Sequence, residues 1–274
     1  MSAEDEASFA ALATVISAGT GMTLGAYKEK CLRRRIAVRM RACGVHTFEE
    51  YRRVLSKTPA EMASLFDVLT INVTKFFRNR EAWARVSETA ISDLFERLHG
   101  RVRVWSAGCS SGEEPYTIAI LLAEAGLRSN PQWRDRYAID ATDIDRMSLE
   151  RCAAAFYQTP SLAETPPELI SKYFVSDGAD GWSVTPELRA RVRVTRNDLT
   201  REAAPGAPYD LITCRNVVIY FDRPTQEALL ERFHDALRPG GYLLLGKVET
   251  IFGPSRNRLE LVDARERIYR RPVE

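Results

Sequence analysis

No apolar run in this chain approaches the roughly 20 residues that would span a bilayer. Residues 1–6 are acidic and lack the basic-then-apolar order of a secretory leader, so neither membrane insertion nor export is expected. Cysteine is sparse: Cys31, Cys43, Cys109, Cys152 and Cys214 are odd in number, scattered, and form no C-x-x-C pair. That excludes a zinc-ribbon type of site and a disulfide framework, and it fits a reducing cytoplasm with no metal. Charge of one sign is lacking too, since the net charge is only +2, and bulk electrostatics select no partner. There is no internal repeat and no low-complexity segment. Two nucleotide-binding signatures are also missing. No glycines follow the G-x-G-x-x-G spacing, and no Lys-Ser/Thr pair ends a glycine loop. What remains is an ordinary globular composition, 45% hydrophobic and 28% charged, in 274 residues, enough for one large domain or two smaller ones.

The organising stretch is residues 102–116, VRVWSAGCSSGEEPY. It predicts a buried strand, a glycine turn and a helix start, with Gly108 and Gly112 letting backbone approach a ligand and Pro115 suited to the first helical turn. Strand, glycine loop and helix are the first half of a nucleotide-type βαβ unit. Two carboxylates, Glu113 and Glu114, stand at the helix start. A diphosphate would be repelled there and an ammonium group attracted. That points away from NAD and ATP and toward S-adenosylmethionine, although either glutamate alone could simply favour a helix N-terminus through the dipole.

Helical spacing covers residues 4–18, with Phe9, Leu12, Ala13 and Ile16 on one face. A second helix, Tyr27 to Cys43, carries Lys28, Lys30, Arg33, Arg34, Arg35, Arg39 and Arg41 in its basic stretch 28–41, with only Glu29 opposed. Thr47 and Glu50 predict a capping box for a third helix, and Pro59 and Glu61 start a fourth. Beyond a linking helix the pattern becomes α/β, with strands expected at 137–141, 209–214, 242–246 and 266–271. Turn signals at Asp177-Gly178 and Asp180-Gly181, with short strands at 182–184 and 192–194, predict a small β excursion. Strands alternating with helices imply a parallel sheet with right-handed crossovers.

In such sheets ligands sit beyond the carboxyl ends of the strands. Asp143, after the second strand, suits ribose hydroxyls, or equally an N-cap for the helix that follows. Asn197 can hydrogen-bond an adenine edge, and Arg215 and Asn216 follow the 209–214 strand.

Four ordered motifs now stand together: Asn72-Val73-Thr74-x-Phe76-Phe77-Arg78, the 105–116 loop, Thr142-Asp143-Ile144-Asp145, and residues 214–222, CRNVVIYFD. The chain resembles the chemotaxis receptor glutamate methyltransferases, the CheR family, over nearly its whole length. The resemblance implies a Rossmann-like S-adenosylmethionine-dependent α/β methyltransferase fold with a small inserted antiparallel β subdomain, preceded by an all-α N-terminal domain. The boundaries expected are 1–75 for the helical domain, 76–99 for a linker helix and 100–274 for the methyltransferase domain, with the β subdomain at 175–195. The activity implied is methyl transfer to glutamate carboxylates of chemoreceptors, leaving methyl esters and S-adenosylhomocysteine. Cofactor contacts are implied for Asn72, Thr74, Arg78, Glu114, Asp143, Asn197, Asp198, Arg215 and Asn216, and a role at the reacting centre for Arg78 and Tyr220; the glycine bend itself adds Gly108 to the cofactor contacts expected.

Two departures stand out. Asp198 occupies a position where Leu is common, and Gly246-Lys247-Val248-Glu249 replaces a more usual Gly-His-Ser-Glu, which leaves the role of that loop open. The partner expected is the chemoreceptor cytoplasmic helical bundle, met by the basic helix 28–41 of a cytoplasmic monomer. Nucleic acid is the rival partner, but aromatics interleaved for base stacking are absent from that helix. A small-molecule or nucleic-acid methyltransferase and a non-catalytic cofactor sensor are the competing functions. The short 176–182 loop predicts independence from the C-terminal pentapeptide tether of certain receptors.

Overall fold

In a computed structural model, the chain is described for residues 3–70, 73–97, 100–129, 136–178 and 181–273. It divides into two units, Met1–Asn72 with Tyr220–Gln226, and Val73–Ile219 with Glu227–Glu274.

The first unit is built on four helices: α1 (Ala3–Thr20), α2 (Glu29–Ala42), α3 (Phe48–Lys57) and α4 (Pro59–Leu69). Phe9, Leu12 and Ile16 of α1 are buried along one face, as the spacing predicts. The capping box forms, with the Glu50 amide donating to Thr47 Oγ1 at 3.2 Å and the Glu50 carboxylate accepting from the Thr47 amide at 3.0 Å. The later segment completes this unit through backbone. Lys28 N–H donates to Tyr220 O at 2.9 Å, Asp222 N–H to Ala26 O at 2.9 Å, and the Tyr27 and Phe221 rings meet edge-on at 5.0 Å.

The cations of α2 divide by burial. Arg33 reaches Asp5, Glu6 and Glu29 and lies over the Phe9 ring. Arg39 forms a bidentate pair with Glu61, at 2.9 and 2.6 Å. Arg35 is buried, donating to Leu69 O with its guanidinium 4.4 Å from the Tyr220 ring. The polar face is therefore less unopposed than the sequence suggests, because Asp5, Glu6 and Glu61 come from other helices. Lys30, Arg34 and Arg41 are exposed along one line of α2, with Val38 45% exposed between them.

The second unit opens with a helical run, α5 (Arg80–Val86), a π-turn over Ser87–Ile91 and α6 (Ser92–Arg97). The alternating part follows as β1 (Val102–Ala107), α7 (Glu113–Ser129), β2 (Tyr137–Asp143), α8 (Arg146–Ala154), β3 (Phe156–Gln158), α9 (Pro167–Tyr173), β4 (Phe174–Ser176), β5 (Gly181–Val184), α10 (Pro186–Arg189), β6 (Val192–Arg196), β7 (Tyr209–Cys214), α11 (Arg223–Ala236), β8 (Leu237–Leu245), β9 (Glu260–Asp263) and β10 (Ile268–Arg270). The main sheet has the order β6-β2-β1-β7-β8-β10-β9, parallel from β6 to β8 with an antiparallel hairpin at the far end. β1 is central, as its apolar sequence predicts. Because β2 lies on one side of it and β7 on the other, a topological switch point falls at its carboxyl end.

The β excursion differs from expectation. The small antiparallel sheet is β3-β5-β4, starting at Phe156, and residues 192–194 belong to β6 on the edge of the main sheet. Two short alternating strands near turn residues read as hairpin partners in sequence. Here α10 intervenes and β6 pairs with β2 over five residues instead. The small sheet is tied to the chain entering the unit, since the Phe76 ring stands edge-on to Tyr157 at 4.8 Å and to Phe174 at 5.0 Å.

Candidate functional site

The two glutamates at the start of α7 part company. Glu113 is buried against its own loop, accepting from Ser111 Oγ at 2.8 Å, and burial pushes its carboxyl above the ordinary range. Glu114 turns over the ends of β1 and β7, accepting from Ser106 Oγ at 3.0 Å and Thr213 Oγ1 at 2.6 Å, with Arg215 Nη1 3.7 Å away. Both hydroxyls are fully buried and fix the rotamer of the carboxylate. Sequence reasoning selected Glu114 but missed Ser106 and Thr213. The available signal was a hydroxyl next to the end of each central strand.

Gly108 and Gly112 have positive φ, 80° and 101°. The close approach they permit is to the protein itself. A Cβ on Gly108 would lie 2.5 Å from Val217 Cγ2, and one on Gly112 would lie 2.6 Å from both Cys152 Sγ and Tyr157 Oη. Gly108 N–H is taken by Thr142 O at 2.8 Å. The bend is thus shaped by neighbouring side chains.

Asp143 does not cap α8; Asp145 does, accepting from the Met147 and Ser148 amides. Asp143 accepts from the Ser110 amide at 2.8 Å on one oxygen and from the Asp145 amide at 3.0 Å on the other, with the Ile144 amide as a third backbone donor. A carboxylate offers about four acceptor sites, so capacity for hydroxyls remains. Burial pushes this carboxyl up, and the backbone donors oppose the shift.

Asn197 is placed by its amide donating to Asp143 O and by Nδ2 donating to Ala203 O, both at 3.0 Å. These contacts fix the amide orientation and leave Oδ1 a buried acceptor with no hydrogen-bond partner. Such an orphan suits an exocyclic amine. Asp198 is used internally. Its Oδ1 accepts from the Thr200 amide at 2.8 Å and hydroxyl at 2.7 Å, and its own amide donates to Glu202.

Arg215 is 4% exposed along its side chain. It donates to Arg78 O and Asn79 Oδ1, both at 3.0 Å, and lies over the Trp83 ring at 4.8 Å. Burial lowers its guanidinium, and Glu114 is the strongest opposing influence. It therefore acts as a clamp between the 78–79 loop and the end of β7. Asn216, half-buried with φ 61°, follows it. Thr74 and Arg78 are half-buried on the 73–79 loop, where Arg78 Nη1 donates to Val73 O at 2.8 Å. Tyr220 belongs to the helical unit, under Arg35. Asn72 lies outside the described residues.

Three carboxylates gather at the strand ends beside the Arg215 guanidinium. The Cys214 thiol is raised by burial and further by the charges of Glu249, Glu114 and Asp143, which converge around it. Glu249, another residue that sequence reasoning left without a role, is buried at the end of β8 with both oxygens engaged. Acidic strand ends, a free amide oxygen and a carboxylate with spare lone pairs fit a cationic nucleoside and oppose a phosphate.

Comparison with known proteins points to the same class of cofactor. Residues 72–268 match the family model "CheR methyltransferase, SAM binding domain", and residues 7–70 match "CheR methyltransferase, all-alpha domain". The chain is 36% identical to a chemotaxis protein methyltransferase of Listeria innocua, over 88% of this chain and 89% of that one. It is also 36% identical to the chemotaxis protein methyltransferase of Klebsiella aerogenes, over 92% and 86%. An uncharacterized 104.1 kDa protein of Rhodobacter capsulatus is 35% identical over 89% of this chain, which spans 25% of that longer protein. The cofactor of the matched domain is S-adenosylmethionine, and the residues at the strand ends suit it.

Proposed function

This chain belongs to the CheR methyltransferase family, and on that premise we propose that it methylates glutamate side-chain carboxylates of chemoreceptors, forming methyl esters and S-adenosylhomocysteine. Membership carries S-adenosylmethionine-dependent methylation in chemotaxis. The observation that supports the reading most directly is Glu114, an acid held by two buried hydroxyls over the ends of β1 and β7, where the cofactor's ammonium group is met. Asn197 Oδ1 takes the adenine amine, and Asp143 takes the ribose hydroxyls. The cofactor supplies a methyl group on a positively charged sulfur. A glutamate acceptor is already ionised at neutral pH, so the protein needs no base and has mainly to align the carboxylate and exclude water. Arg78 Nη1 donates to Val73 O, and the guanidinium orients the incoming carboxylate by charge-assisted hydrogen bonds.

The exposed line Lys30, Arg34, Val38 and Arg41 on α2 meets the acidic helical bundle of the receptor. The few residues in sequence between Ser176 and Gly181, of which 179–180 lie outside the described residues, support independence from a receptor pentapeptide. Micromolar binding of such a peptide would overturn that part of the reading.

The test is label transfer from radioactive S-adenosylmethionine to a receptor cytoplasmic fragment. Base-labile protein label is expected, whereas base-stable label, or label on nucleic acid, would identify another acceptor. Arg78→Ala and Tyr220→Phe should both slow transfer in this assay; wild-type rates in both would remove their assigned roles. Reversing Lys30, Arg34 and Arg41 together to Glu should weaken receptor binding about tenfold or more at low salt, with the difference shrinking as salt rises. Adenosylhomocysteine affinity should not move.

A further inference from the structure

The carboxylate of Glu249 is 2% exposed and accepts four backbone N–H groups. Oε2 receives Gly246 at 2.6 Å and Asn216 at 3.0 Å, while Oε1 receives Val217 at 3.0 Å and Ile219 at 3.2 Å. Three of the four donors belong to the loop that leaves β7 with Arg215 and Asn216; the fourth belongs to the end of β8. Two glycines make the arrangement possible. A Cβ on Gly246 would lie 2.7 Å from Glu249 Oε2 and 2.9 Å from Asn216 N, and a Cβ on Gly108 would lie 2.5 Å from Val217 Cγ2. The 216–217 loop is thus held from beneath by Glu249 and seated from above against the turn after β1. Lys247 and Val248, where this chain departs from the commoner sequence, are both exposed and take no part in the cradle.

We propose that Glu249 is a positioning residue of the cofactor site: its carboxylate fixes residues 216–219 against the Gly108 turn, and affinity for S-adenosylmethionine depends on that fixation. The inference rests on the cofactor assignment above and adds a residue that touches the cofactor only through others. Loss of the carboxylate leaves three half-buried N–H groups at the end of β7 and the buried Gly246 N–H without their acceptor, so the loop must shift to satisfy them. It also removes one of the three negative charges that converge near Cys214.

Glu249→Gln is nearly isosteric but exchanges one acceptor oxygen for an NH2 group facing two backbone N–H donors. The expected result, by calorimetry well below the melting temperature, is an adenosylhomocysteine Kd raised about tenfold or more. In steady-state assays the loss should fall on KM for S-adenosylmethionine and not on KM for the receptor fragment. Glu249→Asp, which keeps two acceptor oxygens, should recover part of the affinity. A folded Glu249→Gln protein with wild-type affinity would overturn the proposal. If neither variant folds, amide exchange on the wild-type protein decides: the Asn216, Val217 and Ile219 amides should exchange slowly and slow further with adenosylhomocysteine. Exchange indifferent to that ligand would overturn the proposal as well. Absence of any adenosylhomocysteine binding by the wild-type protein would instead defeat the cofactor assignment, so the two failures are distinguishable.

Discussion

Arg215→Ala should lower methyl transfer by about a hundredfold or more, the scale on which misplacement of a reacting group by about 1 Å costs rate. The side chain is almost fully buried and serves three neighbours at once: the Glu114 carboxylate, the 78–79 backbone and the Trp83 ring. Truncation leaves Glu114 with hydroxyl donors but no compensating charge, and it frees the loop carrying Arg78. Breaking a buried charge arrangement costs about 3–5 kcal/mol. At roughly 2–4 °C per kcal/mol for a unit of this size, the melting temperature should fall by roughly 10 °C. Arg215→Lys should restore little, because an ammonium group cannot span Arg78 O, Asn79 Oδ1 and Glu114 from one fixed plane. Thermal melts and single-turnover rates, measured on both variants, check the two parts separately. Near-wild-type turnover in Arg215→Ala would show that the clamp is dispensable.

Glu61→Ala should destabilise the helical unit by about 3 kcal/mol, the lower end of the buried-pair range, since Arg39 remains 24% exposed. The carboxylate accepts two bonds from Arg39 and one from Tyr51 Oη at 2.7 Å, so its removal strands a guanidinium and a buried phenol together. Arg39 above all, aided by Tyr51, holds the Glu61 carboxyl below the ordinary range against the opposing effect of burial. A folded-state value below the unfolded one means the stabilisation is complete above the unfolded pKa of about 4.3 and is lost as pH falls through the folded value. Urea melts at pH 7 and at successively lower pH should therefore show the gap between wild type and Glu61→Gln closing in acid. A gap independent of pH would mean that the pair contributes through packing alone.

What the sequence disclosed, and what it withheld, follows from the range of each interaction. The capping box of Thr47 and Glu50 was readable because both partners lie within one helical turn. β1, β2 and β7 were readable because central parallel strands are apolar on both faces. β9 was not: three of its four residues are exposed, and it carries no alternation. β6 was assigned to the wrong sheet, since a five-residue edge strand looks the same whether its partner is near or distant in the chain. At the site, type and place pick out Glu113 and Glu114 together, and the preference for Glu114 comes from the family resemblance. The burial of Glu113, the clamp of Arg215 and the cradle of Glu249 were not readable, because each depends on atoms from segments far apart in sequence. The same applies to α2, where Arg33, Arg35 and Arg39 read as part of a one-sided basic face for a partner until Asp5, Leu69 and Glu61 are brought to them.

The helical unit takes its final backbone partners from Tyr220 to Gln226, with all of Val73–Ile219 threaded between. During synthesis from the N-terminus, the four helices emerge long before the segment that receives the Lys28 amide and supplies the donor to Ala26 O. At ordinary elongation rates the wait is on the order of ten seconds. A nascent chain stalled before residue 220 should carry helices without their closing strap, open to proteases and chaperones. An excised 1–72 fragment is the permanent form of that intermediate.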